Sequence, residues 1–155
     1  MSKFVVQEHH STHLHFDFRL ELGGVLKSWA IPKGPSMNPK DKRLAIMVDD
    51  HSLEYGTYEG IIPEGNYGAG AVVIWDSGDY ELLKGSIDEG RIEFYLNGKK
   101  LKGRFVLMRM SGKQKEWLLI KMKDQFAQPD FVMKTVLTQE LRKKLKAKIP
   151  PCAVS

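Results

Sequence analysis

The chain is poor in the features that mark secreted, membrane-bound and nucleotide-binding proteins. One cysteine, Cys152, stands among 155 residues, so an internal disulfide is impossible and a reducing compartment is indicated. Three residues from the end, it is also a poor candidate for a nucleophile. No apolar run approaches the roughly 20 residues that a membrane-spanning helix needs. The opening Met-Ser-Lys-Phe-Val-Val-Gln-Glu lacks the apolar core of a secretion signal. Together these absences predict a cytoplasmic protein with no membrane partner. Internal repeats and low-complexity tracts are missing as well. Glycines 56, 60, 65, 68 and 70 match neither a P-loop nor a dinucleotide fingerprint, and the strand-like Val72-Val73-Ile74-Trp75 follows them where such a loop requires a helix. They read instead as an irregular loop that approaches other backbone closely and could line a site. Histidine is absent after position 51.

What is present fits one globular domain. Hydrophobic residues make up 42% and charged residues 28% of the chain, as in soluble proteins, and the length suffices for a proper core. The formal net charge is +5. Its excess gathers in two places, Lys99 to Arg104 and Arg142 to Lys148, the second on a predicted helix. Either could attract a polyanion or simply face solvent.

The five histidines are 9, 10, 13, 15 and 51, and the run from His13 to Leu22 alternates polar and apolar residues. On a strand this puts His13, His15, Asp17, Arg19 and Glu21 on one face and Leu14, Phe16, Phe18, Leu20 and Leu22 on the other. Wet strand faces ordinarily carry Thr, Ser or Lys. Imidazole and carboxylate are divalent-metal ligands, and Arg is the preferred clamp for a phosphate oxygen. The combination suggests metal-assisted phosphate chemistry.

Strand signals dominate the first 123 residues. Phe4 to Gln7 and the His-rich run precede Gly23-Gly24, and Val25 to Ile31 returns as a hairpin partner. Residues 32 to 42 are a loop by their prolines. Arg43 to Val48 is a strand that delivers Asp49, Asp50 and His51. Asp76-Ser77-Gly78-Asp79 is expected to link two strands, and Asn97-Gly98 to turn a hairpin. Some eight to ten strands on short turns favour an antiparallel barrel or sandwich. Leu137, Leu141 and Leu145 recur at helical spacing, so a short C-terminal helix should follow, ended by Pro150-Pro151. The expected organisation is one domain over 1–155, with a core at about 4–126 and an extension at 127–155.

If a barrel joins the ends of three strands, His9, His15 and Asp17 supply two imidazoles and a carboxylate to a divalent metal. Mn²⁺ or a similar ion held so can polarise a phosphoryl oxygen and activate water. Arg19 stands about 6 to 7 Å further along the strand, within reach of the non-bridging oxygens. His51 could transfer a proton, with Asp49 or Asp50 orienting it, and Tyr55 could offer its hydroxyl to a phosphate. Lys33 and Arg43 are further cations that could equally be surface charge. His15-x-Asp17 with His51 also fits the two-histidine, one-carboxylate triad of Fe(II) oxygenases, although that leaves His9 and Arg19 without roles. A non-catalytic nucleic-acid-binding barrel is the other alternative.

Several segments resemble a known family. Phe4-Val5-Val6-Gln7-Glu8-His9-His10, Leu14-His15-Phe16-Asp17-Phe18-Arg19-Leu20-Glu21, Lys27-Ser28-Trp29-Ala30-Ile31-Pro32-Lys33-Gly34-Pro35, Asp50-His51, Pro63 to Gly70 and Glu116 to Lys121 are similar to the signatures of the 3′-phosphoesterase domain of DNA ligase D. The resemblance spans about residues 4 to 126 and implies a β-barrel enzyme active with Mn²⁺. Co²⁺ and Zn²⁺ suit the same ligand types. Such an enzyme removes a 3′-terminal ribonucleoside from a DNA or RNA–DNA primer strand, then hydrolyses the 3′-phosphate to leave a ligatable 3′-OH. By position, His9, His15 and Asp17 would hold the metal. Arg19, Lys33, Arg43 and Tyr55 would bind the phosphate, and His51 would stabilise the transition state or move a proton. Position 49 is Asp where the family pattern has Glu, and the pattern does not require His13, which reads as a rim residue. The chain carries no ligase or polymerase signature, so a ligase, polymerase or end-binding partner is expected on a separate chain.

Overall fold

The period-two patterns become nine strands in the computed structural model, which describes residues 2–151. Cys152 lies outside the described residues. The strands are β1 (Ser2–His10), β2 (Leu14–Leu22), β3 (Val25–Ile31), β4 (Arg43–His51), β5 (Gly60–Ile62), β6 (Gly70–Ser86), β7 (Arg91–Asn97), β8 (Lys102–Arg109) and β9 (Glu116–Lys121). They neighbour one another in the order β1-β2-β3-β4-β9-β8-β7-β6, and β6 pairs back onto β1. Eight antiparallel strands therefore close into a barrel, which removes the free sheet edges a sandwich would leave. β5 is extra. It pairs with Gly70–Val72 at the start of β6, on the side that β7 takes up further along.

The apolar face of β2 fills the barrel. Phe16, Phe18 and Leu20 are fully buried with Trp29, Phe94 and Trp117, and the two indoles meet edge-on at 5.7 Å. Burial of such side chains stabilises by roughly 1.5–3 kcal/mol each.

Two turn expectations need correction. Asp76-Ser77-Gly78-Asp79 is no turn, because β6 runs straight through it. The Asp76 carboxylate instead accepts the backbone N–H groups of Lys99, Lys100 and Leu101 at 2.9, 3.0 and 2.8 Å. Gly78 is required because a Cβ there would collide with the Asn97 carbonyl oxygen. The Asn97-Gly98 hairpin does form, but its loop spans residues 98–101, folded around Asp76.

The tail also differs from its leucine pattern. Helix α1 covers only Gln139–Lys144, capped by the Thr138 side chain, which accepts the Leu141 N–H at 3.0 Å. Lys146 to Lys148 are extended along β5: Ile61 N–H donates to Lys146 O at 3.0 Å and Lys148 N–H to Ile61 O at 3.1 Å. These two backbone hydrogen bonds to β5 hold the segment extended where the leucine spacing predicts more helix. Upstream, Phe131, Met133 and Val136 pack on the core. Among the described residues no helix is long and apolar enough to cross a membrane.

Candidate metal centre and active site

The barrel wall is buried on both sides where β2 crosses it. Phe16, Phe18 and Leu20 face inward, yet Asp17 and Arg19, pointing outward, are only 6% and 2% exposed. A second layer covers them. It consists of the 3-10 turn Leu53–Thr57 and a small apolar cluster of Leu26, Tyr55, Tyr58, Ile62 and Val72. The site therefore sits on the outer wall, with strand ends contributing only His9, at the close of β1, and His51. His51 arrives there through a bulge. Ser28 pairs with Val48 and Leu26 with His51, so β4 advances three residues against two in β3. That extra residue turns His51 onto the site face, where regular pairing would place Asp50.

Three acceptors converge at the centre. His9 Nδ1 lies 3.3 Å and His15 Nε2 3.2 Å from Asp17 Oδ2, and one ligand atom from each residue falls within 4.8 Å of the others. The opposite ring nitrogens face carbonyl oxygens, His9 Nε2 to Gly68 O at 2.6 Å and His15 Nδ1 to His13 O at 3.1 Å. A carbonyl only accepts, so Nε2 of His9 and Nδ1 of His15 carry the protons. In the neutral rings the other nitrogens then turn lone pairs on the carboxylate. Such an arrangement requires a cation, either extra protons or a metal, and a backbone carbonyl behind each imidazole is the usual support of a ligating histidine. The donor set fits a divalent metal.

The electrostatics agree. Burial would raise the Asp17 pKa, but hydrogen bonds from His15 and His9 and the charge of Arg19 outweigh it, holding the carboxyl well below its ordinary range. Burial also opposes a charge on His15, yet Asp17 raises its pKa overall. His51 shifts the other way, lowered by burial and by Arg19.

Arg19 organises the neighbouring half of the site. Its Nε donates to Gln7 Oε1 at 2.6 Å and its Nη1 to Ser28 Oγ at 2.8 Å. Nη1 also lies 3.1 Å from His51 Nδ1, and Nη2 lies 3.5 Å from Asp17 Oδ2. The guanidinium stacks 4.6 Å from the Tyr55 ring centre, and His51 packs edge-on against the same ring at 4.5 Å. His51 Nδ1 also approaches Asp49 O at 3.1 Å. The two contacts exclude each other: a bare Nδ1 accepts from Arg19, whereas a protonated one donates to Asp49. Burial and Arg19 keep the ring neutral, and the charged guanidinium, which can only donate, favours a bare Nδ1, which leaves the proton on Nε2.

The structure thus brings together His9, His15, Asp17, Arg19, His51 and Tyr55. Asp50 stands apart, paired with Lys27 at 2.9 Å, and Asp49 is exposed. Lys33 is exposed in the turn after β3. Arg43, at the start of β4, meets Asp41 at 3.5 Å. Neither has a hydrogen bond or ion pair to the cluster. His51 is not one of the three clustered ligands; the second histidine beside His15 and Asp17 is His9. Gln7 and Ser28 escaped notice in the sequence. Gln7 shares the His9 face of β1, and its amide also donates to Tyr55 O at 2.8 Å and Tyr58 O at 3.2 Å, tying the covering turn to Arg19.

A family model of the DNA ligase D 3′-phosphoesterase domain matches residues 7–109. The chain belongs to this family. The match takes in every residue of the cluster, from His9 to Tyr55. Among curated relatives, the multifunctional non-homologous end joining protein LigD of Pseudomonas aeruginosa is 50% identical over 127 residues, covering 79% of this chain. The LigD of Mycobacterium tuberculosis is 48% identical over 130 residues, covering 83% of it. That of Mycolicibacterium smegmatis is 44% identical over 156 residues and covers 94%. The matched parts make up 15%, 17% and 20% of those relatives' own lengths, so this chain corresponds to a minor portion of each.

Proposed function

We propose that the protein is a divalent-metal-dependent phosphoesterase that heals 3′ ends in DNA repair. In this reading it uses Mn²⁺ to remove a 3′-terminal ribonucleoside from a DNA or RNA–DNA primer strand. It then hydrolyses the remaining 3′-phosphate, leaving a 3′-OH that a ligase can join. Family membership supports the end-processing role. The observation that carries the chemistry is the convergence of His9 Nδ1, His15 Nε2 and Asp17 Oδ2 beside a buried arginine.

His9, His15 and Asp17 would hold the metal, which when bound supplies Lewis-acid polarisation of a phosphoryl oxygen and a stronger nucleophile at neutral pH. Arg19 has Nε and Nη1 engaged by Gln7, Ser28 and His51. Nη2 is the donor left to grip a non-bridging oxygen, where a fixed cation in a water-poor site stabilises developing charge. His51, neutral with its proton on Nε2, donates a hydrogen bond to a phosphate oxygen and stabilises the charge that develops there; only after taking up a second proton would it serve as the acid for the leaving oxygen. Tyr55 holds the arginine and the imidazole against its ring, so all three groups keep one geometry. Lys33 and Arg43 would act from the rim on the rest of the anion, and Asp49 or Asp50 would orient His51.

The test is a labelled primer–template ending in a 3′-phosphate or a single 3′-ribonucleotide, incubated with Mn²⁺ and then with a chelator. Metal-dependent conversion of both to a 3′-OH is the expected result. Salt-sensitive binding with no conversion under any divalent metal would favour the non-catalytic binding barrel.

A further inference from the structure

We propose that the exposed basic segment from Arg142 to Lys148 is the docking surface for the phosphate backbone of the strand whose 3′ end enters the site. This rests on the phosphoesterase reading for the identity of that strand. Either of the two basic clusters could have served, and the structure separates them. In the 99–104 cluster, Arg104 lies 3.5 Å from Glu93 and Lys100 donates to Trp75 O at 2.6 Å. The carboxylates of Asp76 and Asp124 accept backbone N–H groups of the same loop. Only Arg104 of that cluster is ion-paired, and it shares Glu93 with Lys84 and Arg91, so charge alone favours the tail only in part. In the tail, Arg142, Lys143, Lys144, Lys146 and Lys148 are all exposed. Among the described residues none of the five enters an ion pair, whereas Lys3, Lys27, Arg43, Lys84, Arg91, Arg104 and Lys121 do. Two carboxylates flank the segment. Glu140 lies in the first turn of α1, and Glu59 precedes β5 with its oxygen engaged by Ile74 N–H.

Position decides the matter. The register runs straight across the sheet from His15 to His9, Val72 and Gly60. Directly paired residues share a face, so Gly60 lies on the site face, two strands or about 10 Å from His9. Lys148 packs over it, its Cε 3.1 Å from where a Cβ on Gly60 would stand, and its ammonium caps the Tyr58 ring at 5.2 Å. Tyr58 stacks on Tyr55, which holds Arg19. Residues 146–148 thus lie three strand spacings, about 14 Å, from His9, with Arg142 to Lys144 on the helix that leads into them. One strand of duplex advances about 3.4 Å per nucleotide along its axis, so a cation at that range meets phosphates roughly three or four nucleotides upstream of the reacting one.

The test compares the wild-type chain with a five-fold variant carrying R142A, K143A, K144A, K146A and K148A. All five side chains are exposed, and the backbone pairing of Lys146 and Lys148 with Ile61 is untouched. Binding to a primer–template with a 3′-phosphate is followed by fluorescence anisotropy over a salt series, with chelator present. A slope of log affinity against log salt that becomes shallower by about 2 or more, the release of two or three phosphate contacts, is expected. K99A/K102A should leave the slope unchanged. An unchanged slope in the five-fold variant would overturn the proposal, as would an equal loss in K99A/K102A. Hydrolysis of a deoxynucleoside 3′-monophosphate with Mn²⁺, which has no upstream phosphates, should be the same in wild type and in a four-fold variant that keeps Lys148, whose ammonium caps Tyr58. Failure of the wild type to hydrolyse either substrate would sink the phosphoesterase reading alone, since the salt slope is read without turnover.

Discussion

Replacing His15 by alanine should lower stability with opposite pH dependences in the presence and absence of metal. Without metal, His15 interacts with Asp17 favourably only when protonated. Its pKa is raised above the ordinary 6.5, so the interaction is fully present below 6.5 and is lost as pH rises through the folded value. One partly buried, charge-assisted hydrogen bond contributes about 1.5 kcal/mol. At pH 5.5 the variant should therefore melt about 3–6 °C below the wild type for a domain of this size. At pH 8.5 the gap should nearly close, because the ring removed was a lone pair aimed at a carboxylate. With Mn²⁺ the dependence inverts. A ligand at one hundred times its Kd stabilises by about 2.7 kcal/mol, or about 5–11 °C. That gain needs deprotonated imidazole, so it grows with pH. Thermal melts of both proteins at the two pH values, with chelator or Mn²⁺, measure all of this. If Mn²⁺ raises the melting temperature of wild type and His15→Ala equally, His15 is no ligand.

Arg19→Lys keeps the charge but cannot reach Gln7, Ser28 and His51 together. Release of 3′-phosphate should fall by about 10²–10³-fold, measured as kcat on a labelled primer; a loss under tenfold would remove Arg19 from the charge-stabilising role. Gly68 has φ +76 and leaves 3.1 Å between a Cβ position and His9 Cε1, so Gly68→Ala should push His9 aside. Mn²⁺ affinity should weaken by about 10–100-fold, read from metal titration of the melting temperature. Gln7→Leu strands Arg19 Nε and two carbonyl acceptors in a buried site. A cost of about 2–4 kcal/mol in urea unfolding is expected, and a near-neutral result would mean the covering turn is held by other contacts.

Period-two alternation made β2 and its two faces legible, and with them His15, Asp17 and Arg19. The glycine run is not one irregular loop, since Gly56 lies in the 3-10 turn, Gly60 in β5 and Gly70 at the start of β6; the close backbone approach is that of Gly70 to His10, and Gly68 O supports the His9 ring. What stayed hidden depends on partners distant in sequence. Asp76 looks like a turn residue because the turn it serves lies more than twenty positions away. Gln7 and Ser28 are ordinary strand residues until register sets them beside Arg19. No glycine or proline marks the bulge in β4. Nor does the leucine spacing of the tail reveal that Lys146 to Lys148 find backbone partners on β5.

The most direct measurement is the anomalous scattering of crystals grown with Mn²⁺. A single strong peak bonded to His9 Nδ1, His15 Nε2 and Asp17 Oδ2, beside Arg19, is the predicted result. Manganese bound elsewhere, or none at this cluster while the protein still converts 3′-phosphate ends, would contradict the assignment of the three convergent acceptors as the metal centre.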